Sequence, residues 1–142
     1  VIRDPEHPTG PAGAREKILH PRRPGEEELA RRALDAAGVP VPVLGADLDP
    51  VGLAILLSLA QAVVANDSGP MHLARAVGTP VVALFGPTDP GRTGPLGKEG
   101  QVIDRFVFCS PCFLRECPYA HECMREISPE EVLRAVEEVT GT

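Results

Sequence analysis

Residues 65–84, ANDSGPMHLARAVGTPVVAL, decide how this chain is read, and DSGPMH at 67–72 is their centre. An apolar run at 62–65 enters like a buried strand, Pro70 opens a short segment that Gly78 closes, and a second apolar run follows at 81–85. Strand, helix, strand in that order implies a right-handed crossover and a parallel sheet. Proline suits the first helical position because its missing N–H would have no partner there, so Gly69 is expected as the N-cap. The amides of Gly69, Met71 and His72 would then be free. Free N–H groups at the positive end of a helix dipole, outside the carboxyl end of a parallel strand, form an anion site fit for a diphosphate. Asp67 cannot share that anion, since a carboxylate repels phosphate. It is expected to accept hydrogen bonds from sugar or ribose hydroxyls, with Ser68 free to donate to a phosphate oxygen. His72 either donates to the same group or packs on its helix. The plainer reading is that Asp67 and Ser68 only end a strand and cap a helix.

Composition narrows the partners. The chain has 142 residues, 43% hydrophobic and 24% charged, enough for about one domain with a modest core. Its formal charge of −6 comes with scattered lysines and arginines, so no nucleic-acid footprint is supported and a small-molecule partner fits better. The longest apolar stretch, 51–65, contains Ser58 and Gln61 and falls short of the roughly 20 residues that span a bilayer, so no transmembrane segment is expected. No charged start followed by an apolar core and a cleavage site argues for secretion. A chain that begins at Val1 reads as a fragment or a processed product.

Outward from the centre, residues 1–24 carry five prolines and two glycines and read as an irregular lead-in, with His7 and His20 as solvated loop residues. From Glu26 to Ala37 the pattern is an amphipathic helix with Leu29, Ala30, Ala33, Leu34 and Ala37 on one face, and 39–44 alternates valine and proline as an edge strand or link. Asp49 and Pro50 start a helix that runs to about Ala60, is apolar nearly all round and should be buried. After the central unit, residues 86–100 hold five glycines and three prolines, a composition in which no regular element is expected. A loop this long at a strand's carboxyl end borders the crevice where ligands sit. Residues 101–103 read as a last short strand. Ser128-Pro129-Glu130-Glu131 opens the final helix with a capping box, its apolar face being Val132, Leu133, Val136 and Val139. The domain division expected is 1–47 as lead-in and amphipathic helix, then 48–142 as one Rossmann-like domain.

All four cysteines, Cys109, Cys112, Cys117 and Cys123, fall in CSPCFLRECPYAHEC at 109–123. Such clustering admits one tetrahedral metal on four thiolates, most simply a structural zinc, or reduced thiols that merely pack, or disulfides. His121 is a further candidate ligand, though it reads more simply as a loop residue. In every case the segment is structural, not catalytic.

NDSGPMHLARAVGTPVVALFGPTDPGRTGPLG, followed by CSPC, CMREI and a terminal SPEEVLRAV, resembles the C-terminal domain of glycosyltransferase family 9, the ADP-heptose:lipopolysaccharide heptosyltransferases. The resemblance is dense over 53–139. It implies an α/β fold, the C-terminal half of a GT-B enzyme in which two Rossmann-like domains face across a cleft. Asp67, Ser68, Gly69, Pro70, Met71 and His72 would then form the donor site, with Thr88 and Arg92 of the GPT loop bordering it. The donor implied is an ADP-heptose-like nucleotide sugar and the acceptor a lipopolysaccharide core, with no cofactor required for catalysis. The general base would be an aspartate of an N-terminal domain, which nothing here supplies. Neither Lys17 nor Arg22 can be matched to the family's phosphate-binding cation. The chain alone is therefore expected to be a nearly inactive, cytoplasmic donor-binding part, working at the inner membrane face. The other readings are a non-catalytic nucleotide-sugar-binding module and a metal-stabilised interaction domain.

Overall fold

The computed structural model describes residues 48–95, 97 and 100–141, together with Glu28, Arg31, Arg32, Asp35 and Ala36. The chain divides into two compact units, Val1–Ala60 and Gln61–Thr142. In the first, Glu28, Arg31, Arg32, Asp35 and Ala36 are helical and exposed, the four charged ones in keeping with the polar face expected of a helix over 26–37. The apolar face of that helix, the lead-in with His7, Lys17, His20 and Arg22, and the 39–44 segment lie outside the described residues. Helix α1, Pro50–Ser58, starts as its Asp-Pro signature predicts, with the Gly52 N–H donating to Asp49 Oδ1 at 2.6 Å. Its expected burial holds only at Leu57. Val51 and Ile55 are 66% and 59% exposed, so the all-round apolar pattern does not translate into all-round burial.

The second unit is a three-stranded parallel sheet in the order β1 (Val63–Asn66), β2 (Val81–Leu84), β3 (Gly100–Ile103). Val63, Val81 and Gly100 align at one end and Asn66, Leu84 and Ile103 at the other, so the three carboxyl ends form one edge. Between β1 and β2 runs α2, Gly69–Ala76, which packs on both strands and buries Met71 and Ala74 completely. Gly78 then turns the chain with φ 84°, a backbone that side-chain-bearing residues rarely adopt.

The last helix, α5 (Pro129–Thr140), packs on β2 and β3. Its Val132, Ala135, Val136 and Val139 meet Val82, Leu84 and Ile103. Leu133, expected on that face, is 58% exposed, and Ala135 takes its place because 132, 135, 136 and 139 form the true i, i+3, i+4, i+7 stripe. The Ser128 cap is present, its Oγ accepting from the Glu131 N–H at 3.2 Å. The box is not reciprocal, however, since the Glu131 carboxylate accepts instead from Arg105 beyond β3. Two short helical turns complete the unit, α3 (Pro90–Thr93) and α4 (Glu122–Arg125). The first corrects the expectation that 86–100 holds no regular element. Asp89 caps it, Oδ1 accepting from the Gly91 N–H at 2.8 Å, and Pro90 sits in its first turn.

Candidate functional site

The carboxyl edge of the sheet carries what the chain places there: Asp67 after β1, the GPT loop after β2, and the cysteine segment that follows β3. Asp67 and Thr88, both half-buried, border one cavity of about 300 Å³. The Asp67 carboxylate is held. The Thr93 hydroxyl of α3 donates to its Oδ2 at 2.8 Å.

The start of α2 differs from expectation by one residue. Ser68, extended at φ −163° and ψ 163°, is the N-cap, without a side-chain cap hydrogen bond, and Gly69 is the first helical residue. The Met71 and His72 amides are not free, because both donate to the Ser68 carbonyl, at 3.1 and 3.4 Å. With Ser68 as N-cap, His72 makes the ordinary i→i−4 bond, and Met71 closes the first turn with an i→i−3 bond. The Gly69 N–H and the Ser68 hydroxyl remain as donors at this helix start. A Cβ on Gly69 would meet nothing within 4 Å, so the space in front of it is open. The Met71 side chain lies in the core, and His72 is exposed on the helix outside the cavity lining.

The cysteine segment forms the facing wall. Cys109, Cys112, Cys117 and Cys123 all line the cavity that Asp67 and Thr88 border, and all four are free thiols. Among the described residues, no three His, Cys, Asp or Glu side chains are grouped so that they could hold a metal ion. Burial pushes the Cys123 thiol above the ordinary 9.0, and the charges of Cys109, Cys117 and Cys112 push it further. The segment is tied to the GPT loop by backbone. Ser110 Oγ donates to the Gly86 carbonyl, and the Phe113 N–H donates to the Pro87 carbonyl at 2.7 Å. Arg92 lies over the Phe113 ring, 5.5 Å from its centroid, which spends the guanidinium on the loop. Phe108 and Tyr119 meet edge to face with centroids 4.9 Å apart. Gly86 is needed for this approach. A Cβ there would stand 2.5 Å from Met124 Sδ and 3.1 Å from Cys123 Sγ.

Among the residues that escaped the sequence reading are Thr93, which holds Asp67, and Arg115 and Asn66 of the lining. Thr93 was legible in principle, because Asp89-Pro90 is the same cap signature as Asp49-Pro50 and predicts a helical turn ending near it. Arg115 and Asn66 also line the cavity, but no spacing rule points to them.

A parallel α/β sheet with its glycine-rich loops and its cavity outside the strand carboxyl ends defines a Rossmann-like domain with the site where that class keeps it. A match to glycosyltransferase family 9 (heptosyltransferase) covers residues 18–122. The chain belongs to that family. It is 49% identical over 80 residues to lipopolysaccharide heptosyltransferase 2 of Escherichia coli, covering 56% of this chain and 23% of that one. Lipopolysaccharide heptosyltransferase 1 of Pseudomonas aeruginosa is 39% identical over 94 residues, 66% of this chain and 26% of its own. Among solved structures, the family 9 glycosyl transferase from Veillonella parvula superposes with TM-score 0.72 at 25% identity, over 88% of this chain and 36% of that one. The E. coli ADP-heptose lps heptosyltransferase II superposes with TM-score 0.70 at 27% identity, again over 88% and 36%. The chain thus spans about a quarter of the length of the curated relatives it matches.

Proposed function

We propose that this chain is the donor-binding part of a heptosyltransferase, which takes a heptose from ADP-heptose and transfers it to a lipopolysaccharide core acceptor. The observation that carries the reading is the placement of Asp67 and Thr88 on one cavity at the carboxyl edge of the sheet, in a member of this family. Asp67 accepts from the hydroxyls of the transferred sugar. The Ser68 hydroxyl, the Gly69 N–H and the positive end of α2 face the diphosphate, and they take up charge as it leaves. The base that deprotonates the acceptor comes from an N-terminal domain, so the 142 residues alone grip donor without turnover. Because the acceptor is carried by a lipid, the enzyme works from the cytoplasm at the inner membrane face.

Calorimetric titration with ADP and with ADP-heptose tests this. Asp67→Ala should weaken ADP-heptose and spare ADP, whereas Gly69→Val should weaken both by filling the space in front of the helix start. A Cβ at this position meets no atom within 4 Å, and circular dichroism of the Gly69→Val chain, expected to match the parent, separates a lost ligand from a disturbed fold. Unchanged binding in both variants would remove the site from this loop.

A further inference from the structure

The hydrogen bond between Thr93 and Asp67 links residues 26 apart in sequence and joins the two loops that border the cavity. A helical threonine ordinarily turns its hydroxyl back to the carbonyl four residues earlier. That acceptor is available here, since the Asp89 carbonyl lies 3.3 Å from Thr93 Oγ1. A hydroxyl has only one proton to donate, and the carboxylate is both nearer, at 2.8 Å, and charged, which roughly doubles the strength of the bond. The proton therefore goes to Asp67.

The turn that presents Thr93 is built to hold it still. Arg92 and Thr93 donate their amides to the Asp89 carbonyl at 3.0 and 3.1 Å, and the Gly94 N–H closes on the Pro90 carbonyl at 2.8 Å. At Gly94 the backbone passes so close that a Cβ would stand 2.3 Å from that carbonyl oxygen. Threonine is β-branched and stiff about its first side-chain torsion, so fixing the backbone fixes the hydroxyl. With Oδ2 held by Thr93, the Asp67 carboxylate has a set plane, and Oδ1 together with the second lone pair of Oδ2 is left to accept from a ligand.

We infer that Thr93 is a positioning residue of the donor site: it locks the Asp67 carboxylate in the orientation that receives the sugar hydroxyls. This rests on the reading of Asp67 as the sugar-binding carboxylate. An aspartate on a strand end otherwise has two free torsions, and a group oriented before binding loses less entropy when the donor arrives. The hydroxyl touches no substrate. It acts through Asp67, and its effect is confined to the sugar.

The test titrates the chain and its Thr93→Val, Thr93→Ser, Asp67→Ala and Thr93→Val/Asp67→Ala variants with ADP-heptose and, separately, with ADP. Valine keeps the shape and removes the donor, and serine keeps the donor. Thr93→Val is expected to weaken ADP-heptose about tenfold, the effect of one hydrogen bond to a charged group, and to leave ADP within about twofold. Thr93→Ser should recover most of the loss, and the double variant should bind ADP-heptose no more weakly than Asp67→Ala. An equal loss for ADP and ADP-heptose in Thr93→Val would mean that Thr93 merely supports the loop, and would overturn the inference. So would unaltered ADP-heptose binding in Thr93→Val while Asp67→Ala loses it, a result that leaves the proposed function standing. If Asp67→Ala binds ADP-heptose as the parent does, the proposed site falls and the inference with it.

Discussion

Gly86→Ala adds one methyl group where β2 passes into the GPT loop, and the surroundings say what it costs. The new Cβ would lie 2.5 Å from Met124 Sδ, 2.8 Å from Met124 Cγ and 3.1 Å from Cys123 Sγ. Non-bonded carbons rest at about 3.5–4.0 Å, so the methyl intrudes by about 1 Å on the thioether. Gly86 has none of the left-handed backbone that Gly78 has, so crowding alone sets the effect. Methionine turns about several bonds and can swing aside, but Cys123 is buried on the short turn α4 and cannot. Overpacking usually costs about 1–3 kcal/mol, and the mobile thioether places Gly86→Ala in the lower half of that range, about 1–2 kcal/mol. Urea unfolding followed by circular dichroism measures this directly. In a Met124→Ala background the same substitution should cost about 1 kcal/mol less, since the nearest obstacle is gone. A Gly86→Ala chain as stable as its parent, or one whose cost does not change when Met124 is truncated, would refute the reasoning.

Packing, charge and capping set three further outcomes. Because burial and its neighbours hold the Cys123 thiol above 9.0, the unfolded chain loses this proton first as pH rises. The stability the thiol contributes is complete below about 9 and falls away as pH climbs through the folded value. Urea midpoints at about pH 8 and about pH 10 should show that fall in the parent and a smaller one in Cys123→Ser, and equal falls would refute the assignment to Cys123. Ser128→Ala should cost about 1 kcal/mol through loss of the cap on α5, read as a lower thermal midpoint, while Leu133→Ala, on the exposed side, should change it by less than about 0.5 kcal/mol.

What could be read from the sequence was whatever depends on neighbours along the chain. The runs 62–65 and 81–85 are apolar and bounded by proline and glycine, and they became β1 and β2. The final helix followed from its cap and its period. Assigning Leu133 to its buried face failed because two faces differ by one residue, and the choice between them is made by Val82, Leu84 and Ile103 of the sheet. The amides of Met71 and His72 were misjudged because a single-residue shift of the helix start hands them to the Ser68 carbonyl. Asp67 and Thr88 were singled out from motif, and the four cysteines from clustering as a structural segment, but that all six border one cavity was not contained in the spacing. That Thr93 reaches Asp67 depends on how β1 and β2 are aligned and where α3 leaves the sheet, geometry that spacing along the chain does not contain.

The edge-to-face pair of Phe108 and Tyr119 has a practical use. The chain has no tryptophan and a single tyrosine, and that tyrosine is 52% exposed on the segment that walls the cavity. Emission excited beyond the absorption of phenylalanine therefore originates at Tyr119. Nothing in the sheet contributes to it. The molecule carries its own optical reporter on the cysteine segment, two residues from the cavity-lining Cys117 and His121, so a titration can watch that segment without a dye, while circular dichroism follows the rest of the fold.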